Sequence, residues 1–599
     1  MSSFSLRALP ATATARLAVG LGQGLALALL YLVAEDKLWP ATHGLVFAPL
    51  LLIAWFVPIV ALIGIGNLRP RTLLGTAIAT TVLLAALAAH DTDRGAAGNW
   101  WGLFGGGGPD QHIWPSAILC GFTAMGLFIA MALIAAGDAE QRLIATYPRY
   151  FDVAWKHAVQ LALAALFVGL FWILLTLGAA LFTLIHLQFF QRLIGHRFFA
   201  PPVSMLALAC AIHVTDVRES IVRGLRGLLH VLLSWLLPIA VLIVAGFLAS
   251  LPFTGLDPLW RTRFATSLLL SVAAALVLLI NAVYQDGRPD HPPPRPLRYA
   301  ASLGCVMLAP MIAIASYALW LRIVQYGWTT DRIIATACLV VAGWYAAGYF
   351  WAVLRPGVWL AAVERCNLAA GVLTLAILLA LFTPIADPAR LSVASQMAML
   401  QSGLIAPEKF DFTYLRFQGA RYGRAALEEL AQHDVGANPA YVRAHAEAAL
   451  KAQTPWQREV VAPAAADLAA NVSVYPQGRT LPQSFTRQSW APPQPPGAPT
   501  PMCLNNKTFK CDAFFVDLDG DGKDEIVMMD KTSFGRAVAF AEAPDGSWHA
   551  IGLMSPQAQC KGVREALQAG DYKMTDSAWK DVAVNGQRLH VEETGSRCP

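Results

Sequence analysis

Charge is scarce in this sequence. Of its 599 residues only 14% are Asp, Glu, Lys or Arg, while 56% are hydrophobic, a balance that excludes an ordinary soluble chain. A basic stripe or aromatic-basic motif is also missing, because the formal charge of +5 is spread over many loops; nucleic-acid binding is excluded on that ground. No GxSxG elbow and no HExxH pair occurs, so hydrolase chemistry has no support. His186, His196 and His213, with Asp216 and Glu219 close behind, stand at spacings that make no metal motif. The first apolar run, from about Leu17 to Ala34, lacks a small-x-small cleavage site before Glu35 and Asp36, and reads as a retained helix.

Long apolar runs are what the chain has instead. Beyond the first, runs able to span a bilayer are centred near residues 55, 80, 125, 170, 207, 240, 273, 309, 342 and 376. The fold expected over 1–384 is therefore a polytopic α-helical membrane domain of about eleven transmembrane helices. The central thirds of these runs hold no Asp, Glu, Lys or Arg, which weighs against a transporter coupled to an intramembrane carboxylate. Gln23 and Asn281 suit hydrogen bonds between helices, and GLGQG at 20–24 suits close helix packing. Trp39, Trp100, Trp101, Trp260, Trp328 and Trp359 suit the interfacial belt. The segment from Asp138 to His157 reads as an amphipathic connection lying along the membrane surface.

Loop charge sets the expected orientation. With the N-terminus inside, the cytoplasmic segments hold fifteen Lys and Arg, among them Arg16, Arg69, Arg149, Lys156, Arg223 and Arg226, against eight in the opposite short loops. An odd number of spans then puts the C-terminal tail outside. That tail has soluble composition: 21 of the 44 Lys and Arg follow residue 384. It divides into a helical segment at 385–474, a Pro-rich linker at 475–502, and a small mainly-β domain at 503–599, where apolar residues alternate with period two and Asn585-Gly586 marks a hairpin. Four of the nine cysteines, Cys503, Cys511, Cys560 and Cys598, fall in this last segment. An even number there points to disulfides in an oxidising compartment, most simply 503–511 and 560–598 among three possible pairings.

Several ordered motifs, FDVAWKHAVQLALAALFVGLFWILLTLGAALF at 151–182, LPFTGLDPLW at 251–260, NAVYQDG at 281–287, ALWLRIVQYGWTTDR at 318–332 and ADPARLSVASQ at 386–396, resemble a bacterial inner-membrane family catalogued as a domain of unknown function, DUF4153. The resemblance implies an inner-membrane location and carries no activity, substrate or catalytic residue. In the tail, DLDGDGKDE at 517–525 sets acids at alternate positions around two glycines, an oxygen-rich turn suited to calcium. Met528 at the twelfth position does not fit an EF-hand. The loop is similar to the calcium loops of FG-GAP propeller repeats, and the similarity implies Asp517, Asp519, Asp521 and Glu525 as side-chain ligands with the Lys523 carbonyl beside them. An acidic hairpin turn without metal is the alternative.

Three classes of function follow. The first is a non-enzymatic inner-membrane scaffold, sensor or binding protein with a calcium-stabilised periplasmic domain, whose partners are the lipid bilayer and envelope proteins or lipids. The second is a transporter or channel for an uncharged or lipid-like solute. The third is an enzyme on a lipid-linked substrate, for which a charged cavity at one interface would speak, Asp216 with Arg218, Glu219, Arg223 and Arg226 being the approximate cluster.

Overall fold

The computed structural model describes residues 11–95, 113–256, 259, 264–287, 292–452, 468, 471–488, 490, 501–505, 509–531, 537–554, 561–575, 582–584 and 587–589. It divides into two compact units, Met1–Pro455 and Trp456–Pro599. Trp100, Trp101, Trp260, Cys560, Cys598 and the Asn585-Gly586 turn lie outside the described residues.

Eleven described helices are long and apolar enough to cross a membrane. They are α1 (Ala11–Glu35), α2 (Gly44–Gly64), α3 (Pro70–Asp93), α4 (Ala117–Glu140), α5 (Tyr147–Leu184), then, after a short α6 (Phe189–Ile194), α7 (Ala200–Val217), α8 (Glu219–Thr254), α9 (Ala265–Tyr284), α10 (Arg295–Tyr326), α11 (Thr330–Leu354) and α12 (Ala362–Leu381). The run near 207 thus forms a helix of its own, α7. The chain is an integral, multi-pass membrane protein. Its outward leucines fit that setting: Leu166, Leu174, Leu181, Leu242 and Leu268 are each more than half exposed, which only a hydrocarbon surround makes favourable. One interior cluster, around Leu237, Ile280, Cys305, Tyr349 and Val363, joins α8 to α12; another, around Leu52, Leu84, Leu119 and Leu378, joins α2, α3 and α4 to α12.

Small residues bring α1 against α7. A Cβ on Gly20 would stand 2.5 Å from the Ala209 Cβ, and one on Gly24 only 2.2 Å from the Pro202 Cα, so the backbones touch where GLGQG predicted close packing. Gln23 donates to the Trp55 carbonyl at 2.8 Å, tying α1 to α2. The surface connection expected at 138–157 is corrected. Tyr147 opens the 38-residue α5, about 57 Å long against a hydrocarbon core of about 30 Å. Its first turns stand upright within the bundle, with Phe151, Val153 and His157 buried. Charge and aromatics interleave there because one face meets water while Phe151 and Trp155 meet His230 of α8 and Val153 packs with α2 and α4, a pattern that a surface helix shares.

Past the last span, α13 (Pro388–Gln401), α14 (Phe412–Gln418), α15 (Ala420–Gln432) and α16 (Pro439–Lys451) pack around Leu400, Leu415, Leu427, Leu430 and Val442. They belong to the first unit. Asp387 caps α13 by accepting from the Ala389 N–H at 2.9 Å. The Tyr414 hydroxyl accepts from Thr330 N–H at 2.9 Å, and Arg421 N–H donates to the Arg94 carbonyl at 2.7 Å.

The second unit is built on a five-stranded sheet in the order β1 (Val472–Tyr475), β2 (Cys511–Val516), β3 (Glu525–Asp530), β4 (Ala537–Glu542) and β5 (Trp548–Leu553). β1 runs parallel to β2, and the other pairs are antiparallel. Both faces are covered. Ile526, Met528, Val538 and Phe540 face one apolar cluster, while Val527, Met529, Ala537 and Ala539 face another that includes Leu567 of α17 (Lys561–Ala569). That double burial explains why EIVMMD is apolar at successive positions. A separate hairpin pairs Val582–Val584 with Gln587–Leu589.

The linker expected at 475–502 is corrected in part. Phe485 and Trp490 are buried in the first cluster against Phe540 and Trp548, with ring centroids 4.7 to 5.6 Å apart. Trp490 Nε1 donates to the Phe485 carbonyl at 3.1 Å. Proline content obscured two aromatic anchors whose burial is worth far more than the surrounding composition suggests. Cys503 and Cys511 form a disulfide, their Cα atoms 5.9 Å apart.

Candidate functional site

The acidic turn at 517–525 joins β2 to β3, whose register closes at Val516 opposite Glu525. Gly520 and Gly522 take φ of +79° and +87°, values that favour glycine and let the chain fold back on itself. Asp517 accepts from Gly520 N–H at 2.7 Å and from Gly522 N–H at 3.0 Å. Asp519 accepts from Asp521 N–H at 3.1 Å, Asp521 from Lys523 N–H at 2.7 Å, and Glu525 from Leu518 N–H at 2.7 Å. The turn thus gathers carboxylates by bonding them to its own backbone. Asp517, Asp519 and Glu525 each offer an oxygen within 4.8 Å of the others. Asp521 is outside that group. Its neighbour Asp524 pairs with Arg479, but no ion pair reaches Asp517, Asp519, Asp521 or Glu525 among the described residues. Three hard oxygen donors without a counter-cation fit calcium chemically. A second cluster, Cys503, Cys511 and Asp530, does not fit a metal, since a disulfide has no thiolate to offer.

In the membrane unit the polar side chains gather in three places that residue spacing did not reveal. At the end of the bundle where α1 begins, Arg16 Nη2 meets Asp216 Oδ2 at 2.6 Å and also donates to the Ile65 carbonyl, while Lys156 Nζ meets Asp216 Oδ1 at 2.9 Å. Asp216 is therefore a counter-ion; His213 lies 3.5 Å from Arg16, and His186 and His196 are exposed, away from that group. Deeper on the same side, Asn281 donates to the Tyr349 hydroxyl at 2.7 Å, Tyr349 to Asn367 at 2.7 Å, and Asn367 to the Tyr147 hydroxyl at 2.9 Å. Asn281 is the interhelical residue expected, linking α9 to α11, α12 and α5.

At the opposite end, Arg94 binds Asp91 at 2.7 Å and Asp387 at 3.3 Å, and Asp91 also accepts from Ser116 N–H at 2.8 Å. Burial disfavours the Arg94 charge, but the two carboxylates outweigh it and hold its pKa above the ordinary value.

Two cavities open at the α1-start end. One, of about 660 Å³, is lined by Trp235, Tyr284, Arg298, Trp359 and the prolines 292–294. The other, of about 400 Å³, is lined by Asn67, Arg149, Asp152, Lys156, His157, Arg223 and Arg226, with Ala135 and Val153 as apolar wall. The sequence singles out Arg223 and Arg226 but not the α5 residues that face them; α5 and α8 meet only in the fold.

Neither a curated protein nor a solved structure matches the chain. A family model described as Domain of unknown function (DUF4153) matches residues 24–431, from within α1 to the end of α15. The acidic turn and the whole sheet unit lie beyond that match. Since the match covers well over half of the sequence, from the second half of α1 through the last span, the chain belongs to the DUF4153 family.

Proposed function

We propose that this is an inner-membrane binding or sensing protein of the bacterial envelope, with the N-terminus cytoplasmic and a calcium-stabilised C-terminal unit in the periplasm. The observation that carries the reading is the convergence of Asp517, Asp519 and Glu525 within 4.8 Å, with no cationic partner among the described residues. Asp517, Asp519 and Glu525 would hold the ion, which supplies the positive charge that their mutual repulsion calls for. Asp521 and the Lys523 carbonyl complete the set that the loop similarity implies. A binding role is favoured over a pure scaffold by the charged cavity at one end of the bundle.

Calcium will slow proteolysis of the sheet unit in the purified full-length chain, read at cleavage sites between 503 and 554. Binding to the folded form alone stabilises by about 2.7 kcal/mol at a hundredfold excess over Kd, so cleavage through the opened state should slow up to about a hundredfold. Asp519→Ala will remove most of the effect, Glu565→Ala will not, and magnesium will substitute poorly because it demands a smaller, more regular oxygen shell. Cleavage rates that ignore calcium would mean that the acidic turn is only a turn. Should the unit be studied alone, it has to begin upstream of β1, since a piece starting at 503 would lose β1, Phe485 and Trp490.

Topology has its own test. A reporter active only outside the cytoplasm, fused after Lys451, should be active, and non-reduced peptide mapping should recover the Cys503–Cys511 bridge and show whether Cys560 pairs with Cys598. Activity of a cytoplasm-only reporter at the same position refutes the orientation.

A further inference from the structure

We propose that the cavity between α5 and α8 binds a phosphate-bearing anion. This goes beyond the calcium reading and does not depend on it. Arg149 and Lys156 reach the cavity from α5, Arg223 and Arg226 from α8, and Asn67 and Gly66 from the turn after α2. Asp152 is the single carboxylate among the lining residues. It is matched by Arg226, at 2.7 Å. The nearby Asp216 is matched twice, by Arg16 at 2.6 Å and Lys156 at 2.9 Å. Arg149 and Arg223 are left with no ion pair among the described residues, and both are exposed.

Cations at this end of a membrane bundle are ordinary when they project from loops into water. Here they converge from two helices on one concavity, and a second observation points to a ligand. His157 lines the same cavity, is 3% exposed, and its Nδ1 has no hydrogen-bond partner. A buried ring nitrogen without a partner is uncommon, because burial without a hydrogen bond is costly. Protonated or as the Nδ1–H tautomer, it donates to an anion held by the arginines.

The chemistry favours phosphate over carboxylate. Two guanidinium groups without an ion pair among the described residues present more donors than two carboxylate oxygens can accept, whereas a phosphate offers three or four oxygens and arginine pairs with it bidentately. A volume of about 400 Å³ suits a headgroup or a small phosphate compound and not a whole lipid, and the Ala135, Ala139 and Val153 wall leaves that space open.

The two sources, an anionic phospholipid headgroup and a soluble phosphate compound, separate in one experiment. The full-length chain is reconstituted in nanodiscs of phosphatidylcholine with graded phosphatidylglycerol, and retained lipid is counted by native mass spectrometry. In parallel, phosphatidylcholine-only nanodiscs are titrated with inorganic phosphate and pyrophosphate and followed by thermal shift. Saturable binding in the first arm identifies a headgroup, and in the second a soluble phosphate; either supports the site provided the variants agree. Arg149→Gln with Arg223→Gln should weaken it by about tenfold or more. The paired Arg→Lys variant, which keeps the charge but loses the bidentate fork, should bind more tightly than the Gln pair and more weakly than the wild type, and Arg355→Gln, an exposed cation outside the cavity, should change nothing. His157→Leu, which keeps the bulk without a ring nitrogen, gives a second route and should also weaken binding. No saturable binding in either arm overturns the proposal, as does wild-type affinity in the Gln pair or an equal loss in Arg355→Gln.

Discussion

Asp216→Ala will cost the folded chain about 3–5 kcal/mol, the usual consequence of leaving a buried charge without its counter-ion. The reason lies with Arg16. Its side chain is 2% exposed, against 15% for Asp216 and 26% for Lys156. Once the carboxylate is gone Lys156 can extend its ammonium group toward water; Arg16 cannot, and among the described residues keeps the Ile65 carbonyl and His213 nearby. Thermal unfolding of the detergent-purified chain should fall by about 3–5 °C. Replacing both partners, Arg16→Met with Asp216→Leu, should recover most of the loss, because the desolvation penalty leaves with the charges. Arg226→Ala is the comparison: its pair with Asp152 is 24% and 37% exposed, so solvent screening keeps it under about 1 kcal/mol. If Asp216→Ala is no more damaging than Arg226→Ala, Arg16 is not a buried charge in the membrane.

Gly24→Leu will separate α1 from α7. An added Cβ would meet the Pro202 backbone at 2.2 Å and the Pro201 carbonyl oxygen at 2.7 Å. Backbone cannot rotate aside as a side chain can, so the helices must part along their contact. Overpacking costs about 1–3 kcal/mol where side chains give way, and this case should lie at or above the top of that range. Gly22 stands one turn-face away, where a Cβ meets nothing within 4 Å. Gly22→Ala should therefore be neutral or stabilising by up to about 1 kcal/mol. Size-exclusion profiles and unfolding temperatures of the two variants, measured side by side, separate a packing requirement from a general intolerance of α1 to substitution.

The spans were legible because hydrocarbon thickness imposes both a length and a composition, and even the short, weakly apolar α7 satisfied both. Glycines at 20 and 24 were readable as packing residues, although not their partner helix. The start of α5 is ambiguous in sequence, since Tyr147, Phe151, Trp155 and their charged neighbours give the same periodicity whether the apolar face meets lipid headgroups or another helix. Phe485 and Trp490 were hidden by prolines, which describe a backbone and say nothing of what two aromatic rings bury. The acidic turn was visible because its chemistry is local, nine residues that bond to themselves. The cavity was not, for the opposite reason: Asn67, His157 and Arg223 belong to distant stretches, and only tertiary contact makes them neighbours.

The Arg16–Asp216 pair also sets a timetable. The two residues are 200 positions apart, and chains are made at about 5–20 residues per second, so Arg16 waits roughly 10–40 s for its partner. Throughout that interval α1 can settle in the bilayer only with its arginine held at the water interface. Final docking of the first helix therefore belongs to a late stage of synthesis, after α7 has emerged, and nascent chains arrested before α7 should leave Arg16 open to aqueous reagents that the finished protein excludes.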